Sequence, residues 1–163
     1  MKMIIERAVR ISDFCFTSSL GDMMKSSGCE CLEETMLDGR YTIATEILDT
    51  EVWALVVRFP DLEVVSEKRI EEQISSYRGY RDARIEHLIA YSKQTGYKEQ
   101  GIVCLGKRSR FERRIGTGRY DPKVDRAPRL VGNRLDLVEK GYQEETGIGM
   151  WPANTFLFVS SLP

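Results

Sequence analysis

Ten lysines and arginines lie between Lys107 and Arg134 against three acids, Glu112, Asp121 and Asp125, so this stretch carries +7. The whole 163-residue chain carries −1, which leaves −8 for the rest. Eight of the ten cations are arginines. A planar guanidinium forks onto phosphate or carboxylate oxygens through two parallel hydrogen bonds. Arg108, Arg110, Arg113, Arg114 and Arg119 crowd together with Phe111 and Tyr120 among them, and aromatic rings can stack on nucleobases. The chemistry these types suggest is recognition of an anion, either nucleic acid or an acidic protein face. The −8 elsewhere allows a second reading, in which the segment lies on its own chain or on another copy.

Tyr80, Arg84, His87 and Tyr91 follow at i, i+4, i+7 and i+11, a spacing that puts them on one stripe if the region is helical. Such a stripe could grip an anionic or planar ligand, or could cover the edge of the core. His87 is the only histidine, which excludes two- and three-histidine metal sites. Cys29 and Cys31 would share one face of a strand and read as buried thiols. The paired acids Glu33-Glu34, Glu71-Glu72 and Glu144-Glu145 diverge as sequence neighbours and read as solvated charge. No metal or cofactor is expected.

Two short strings carry partial resemblances. Arg113-Arg-Ile-Gly116-Thr-Gly118 resembles the pyrophosphate loop of GNAT-type acetyltransferases, which needs a helix N-terminus directly after it. Glu144-Glu-Thr-Gly147-Ile148 resembles the end of a Nudix box, but Lys140 and Gly141 stand where that pattern has an Arg-Glu pair.

The elements that must position these residues follow from the apolar pattern. Residues 3–11 read as an opening strand and 18–27 as a short helix with Met23 and Met24 inward. Asp38-Gly39 suits a tight hairpin turn joining strands 30–37 and 40–48. Residues 52–59 form a nearly continuous apolar run and predict a central strand. Ile70, Ile74, Tyr77, Ile85, Leu88 and Ile89 predict one long helix over 66–95, with Ser66 as N-cap, Gly96 as stop and Gly79 as a kink or division. Residues 102–105 predict a short strand. The glycines and prolines of 106–133 predict a long basic arm or loop. Residues 134–145, capped by Asn133, predict a second helix, and 155–160 a last strand. The expected fold is a single α+β domain, with an antiparallel sheet of about five strands packed on one long and one short helix.

An apolar content of 42% and a charged content of 30% suit a soluble globular protein. Lys2, Glu6 and Arg7 interrupt any leader-like apolar run, so a cytoplasmic location is the default expectation. The leading expectation is a non-enzymatic binding protein whose arm docks onto an anionic surface. Two others stay open. One is an assembly or host-interaction subunit whose arm orders against another copy or a target. The other is a small enzyme on a phosphorylated or nucleotide substrate, with Arg113, Arg114 and Arg119 on phosphate and His87 or Tyr91 assisting.

Overall fold

The computed structural model describes residues 2–12, 19–37, 41, 51–77, 79–96, 101–116 and 119–161, with the side chains of 34–35 and 112–123 outside the description. In chain order the described elements are β1 (Ile4–Ile11), α1 (Leu20–Ser26), β2 (Glu30–Cys31), β3 (Val52–Arg58), β4 (Val65–Ser66), α2 (Glu67–Ser75), β5 (Tyr80–Asp82), α3 (Ile85–Thr95), β6 (Ile102–Cys104), β7 (Phe111–Gly116), β8 (Arg119–Val131), β9 (Arg134–Glu139), β10 (Gly141–Tyr142), β11 (Gly149–Trp151) and β12 (Thr155–Ser160). Short 3-10 turns occupy Glu34–Leu37 and Lys107–Ser109.

The architecture is α+β. A mixed sheet of nine strands runs β1-β3-β12-β6-β8-β9-β2, with β5 also paired to β12 and β7 to β8. The β12–β6 and β9–β2 pairs are parallel, so the sheet is not the antiparallel five-strand sheet expected. A second sheet of three short strands runs β10-β11-β4.

Side-chain alternation along the strands divides the core in two. Ala54 and Val56 of β3, Leu157 and Val159 of β12 and Cys104 of β6 face a cluster with α1 and α3. Leu55, Val57, Phe156, Phe158 and Val103 face a second cluster with Ile70 of α2, Val65 of β4 and Trp151 of β11. Both faces of the central strands are covered, which is why β3 reads as a continuous apolar run.

The helices start and stop where local chemistry requires. Ser19 Oγ accepts from Asp22 N at 3.1 Å and opens α1, which buries Met23 and Met24. Ser66 Oγ accepts from Arg69 N at 3.2 Å and opens α2. Gly96 closes α3 in the left-handed conformation.

Three expectations are corrected. The long helix 66–95 is two helices separated by β5, because Gly79 sits at φ +82 where a helix cannot continue. The helix expected over 134–145 is β9 and β10. Gly132, at φ +64, and Asn133 turn β8 directly into β9, with Val131 paired to Arg134. Positive φ at the first central residue alone is the type II′ hairpin arrangement. The basic arm expected at 106–133 is mostly strand: β7 and β8 form a hairpin and β8 runs through the sheet between β6 and β9. Pro128 is tolerated there because the partners of β8 skip from Val103 at Arg129 to Phe111 at Arg126, so its missing N–H meets a gap.

The Asp38-Gly39 turn and most of the strand expected at 40–48 lie outside the described residues. The strand expected at 30–37 shortens to β2, which pairs in parallel with β9 and leads into the turn Glu34–Leu37. No helix among the described residues is long and apolar enough to cross a membrane.

Candidate functional site

β8 carries the basic segment through two settings. From Arg126 to Val131 it pairs with β9. From Arg119 to Asp121 it pairs with β7 alone among the described strands, with Arg113 opposite Asp121, Arg114 opposite Tyr120 and Gly116 opposite Arg119. The register shifts between Phe111 and Arg113, so the β8 residues near Pro122 bulge away from β7. Here β7 and the first residues of β8 form a two-stranded ribbon, and among the described strands these β8 residues pair with no other. The side chains of Arg113, Arg114, Arg119 and Tyr120 lie outside the description; their backbone places all four on this ribbon.

At the base of the ribbon the cations already have partners. Arg110 Nη1 donates to Asp125 Oδ2 at 2.8 Å, and its Nε and Nη2 donate to the Leu105 carbonyl at 3.2 and 2.8 Å. Its guanidinium lies 4.7 Å from the Trp151 ring centre. Lys140 Nζ meets Glu67 Oε2 at 3.2 Å and Asp125 Oδ2 at 3.0 Å, so two cations and two carboxylates close on each other over Trp151. Arg129 forks onto Asp136 at 2.9 and 2.6 Å. Arg126 lies 3.9 Å from Glu33, and Arg134 lies 3.3 Å from Glu30. Among the described side chains, four segment arginines are thus paired within their own chain. Lys107 and Arg108 are exposed and form no ion pair among the described residues.

Phe111 is 7% exposed and stacks on Tyr41 at 5.7 Å, so it belongs to the core and cannot receive a base.

Burial works against the Lys140 ammonium, but hydrogen bonds to Asp125 and Glu67 overcome it and hold its pKa above the ordinary lysine value of 10.5. A raised folded-state pKa adds stability that is complete below the unfolded value and is lost as pH climbs through the folded one. Lys140→Met should therefore be less stable than wild type at pH 8, and the difference should shrink through the alkaline range above 10.5. Urea titrations at several pH values measure it; a difference of constant size would contradict the pairing.

The second candidate group is not a surface stripe. Tyr80 is on β5, stacked on Tyr77 at 5.1 Å. Arg84, His87 and Tyr91 are 7%, 3% and 0% exposed, because the first two turns of α3 are buried all round. His87 Nδ1 accepts from Arg84 N at 2.9 Å, which requires that nitrogen to be unprotonated. Arg84 Nη2 donates to Tyr41 Oη at 3.0 Å and lies 3.5 Å from Glu86 Oε2. Tyr41 Oη donates to Glu86 Oε1. Ser109 Oγ accepts from Ile85 N at 2.9 Å and lies 3.3 Å from Tyr41 Oη. Tyr91 Oη accepts from Arg7 Nη1 at 3.1 Å.

This network ties the start of α3 to the turn that launches β7. Glu86, Ser109 and Tyr41 are members that sequence spacing did not reveal, because they come from three separate segments. Burial first, then the Glu86 carboxylate, push the Tyr41 hydroxyl pKa up, so it stays protonated. Burial and the same carboxylate also push up the Cys104 thiol, which removes it as a nucleophile.

The two motif resemblances fail on structure. A strand, not a helix, begins at Arg119 after the glycines, and 144–146 form a turn where a Nudix box has a helix. No group of three or more His, Cys, Asp or Glu among the described residues could hold a metal. No family model, no curated protein and no solved structure matches this chain.

Proposed function

We propose that the chain is a one-domain, non-enzymatic binding protein that docks onto nucleic-acid phosphates through the β7–β8 ribbon. What supports this is the placement of three arginines on one two-stranded hairpin. Those at the base, Arg110, Arg126, Arg129 and Arg134, are engaged by carboxylates of the fold. The backbone of Arg113, Arg114 and Arg119 lies on the ribbon, and Arg108, exposed and without an ion pair among the described residues, lies on the turn leading into it.

A two-stranded ribbon fits the major groove of B-DNA, which is about 12 Å wide. Ribbon cations would then contact phosphates. With a net charge of only −1 the whole surface neither attracts nor strongly repels a polyanion, so binding would be local.

Phosphate contacts release counterions, so affinity falls linearly with salt on a log–log plot. The test is fluorescence anisotropy of a labelled duplex, a single strand and an acidic peptide at several salt concentrations. Duplex binding that weakens steeply with salt is the expected result. No detectable nucleic-acid binding at low salt, or a preference for the acidic peptide, would overturn it.

A further inference from the structure

Among the described strands, β1 is an outer lane of the large sheet. β3 pairs with one side of it, and among the described residues no strand pairs with the other. Proteins blunt such an edge by making it short, by placing charged residues or proline on it, or by a bulge. β1 has eight residues, no proline, the charges Glu6, Arg7 and Arg10, and a bulge confined to its start between Ile5 and Arg7; the charges do not exclude a partner strand that carries their complements. Ile4 and Ile5 are 37% and 40% exposed, and Ala8 is exposed at the middle of the strand. From Arg7 to Ile11 the pairing with β3 is regular, so the outer backbone row there is straight enough to template another strand.

The charges on this strand are arranged to meet their own copies. In an antiparallel pair related by a two-fold axis at Ala8, Glu6 faces Arg10 of the second copy, and Arg10 faces Glu6. Axes at Arg7 or Val9 bring no opposite charges together. The smallest side chain of the strand then lies on the axis, where two copies of one residue must fit between strands about 4.8 Å apart. Within one chain Glu6 pairs with Arg58 at 3.0 Å and Arg10 with Glu51, both on the surface. Exposed pairs contribute little, so exchanging them costs little. The Arg10 carbonyl accepts from the Gln94 side-chain amide, a bond that a backbone N–H of the second copy would replace.

We infer that β1 pairs antiparallel with β1 of a second copy, about a two-fold axis at Ala8, and joins two nine-stranded sheets into one. The contact is isologous: the same surface is used by both copies. It is independent of the nucleic-acid reading.

Sedimentation equilibrium of the full chain tests it. Wild type should be a dimer, while Glu6→Arg and Arg10→Glu each place like charges opposite twice and should weaken the dimer about tenfold or more. Mixing the two single variants brings opposite charges together at both positions and should restore a heterodimer. The double variant Glu6→Arg/Arg10→Glu should dimerise by itself, which keeps the test decisive if one single variant folds poorly. A monomeric wild type, as expected if β1 instead serves a strand of another protein, would overturn the inference. So would a dimer indifferent to both reversals.

Discussion

Glu86→Ala should destabilise the fold by about 3–5 kcal/mol, the usual cost of removing one partner from a buried ion pair. The Glu86 carboxylate is wholly buried and the Arg84 side chain 8% exposed, so water cannot replace what is lost. Arg84 is already short of acceptors, since its Nε and Nη1 have no hydrogen-bond partner. Truncating Glu86 leaves a buried guanidinium whose remaining side-chain acceptor is the Tyr41 hydroxyl. The loss is large against total stabilities of roughly 5–15 kcal/mol. Replacing both charges, Arg84→Met with Glu86→Leu, should recover most of it, because a buried pair can exchange for apolar packing at little cost. Urea denaturation of Arg84→Met, Glu86→Leu and the double variant completes the cycle. A Glu86→Ala loss below about 1 kcal/mol would mean that the pair is solvated.

The second large effect is on binding. Replacing Arg113, Arg114 and Arg119 together by alanine should reduce duplex affinity about 10²–10³-fold near 0.1 M salt. Each phosphate contact contributes about 0.9 to the log–log salt slope, so three lost contacts lower that slope by roughly 2.7. The urea midpoint should stay within error of wild type, because surface changes away from packing rarely exceed about 0.5 kcal/mol. A parallel loss of affinity at every salt concentration, with the slope unchanged, would show that these arginines act on the fold rather than on phosphate.

Much of the fold was legible where one local signal dominates. The apolar runs of β3 and β12, the caps at Ser66 and Gly96 and the inward Met23 and Met24 stand as expected. The long helix failed for a specific reason. Ile70 belongs to one face of the sheet, while Ile85, Leu88 and Ile89 belong to the other, so their shared helical phase was coincidental. β9 failed because Leu135 and Val138 fit a helix while Leu135 and Leu137 fit a strand. The Gly132-Asn133 pair, a hairpin signature, decides between them.

At the site, composition located the basic segment but could not divide it. Which arginines answer to Glu30, Glu33, Glu67, Asp125 and Asp136 depends on β2, α2 and β9 coming together around β8. At least four of the segment's ten cations prove to be paired within the fold. For the same reason His87 and Tyr91 looked like a surface stripe: nothing in their spacing tells that the first two turns of α3 are covered on every side.

The division between ribbon and base is tested most directly by one binding isotherm, duplex DNA at low salt, measured for Arg113→Ala/Arg114→Ala/Arg119→Ala beside Arg129→Ala. The account predicts that the ribbon variant loses affinity by orders of magnitude, while Arg129→Ala, which breaks the fork to Asp136, binds like wild type. Equal binding by wild type and the ribbon variant would contradict it, and so would a loss confined to Arg129→Ala.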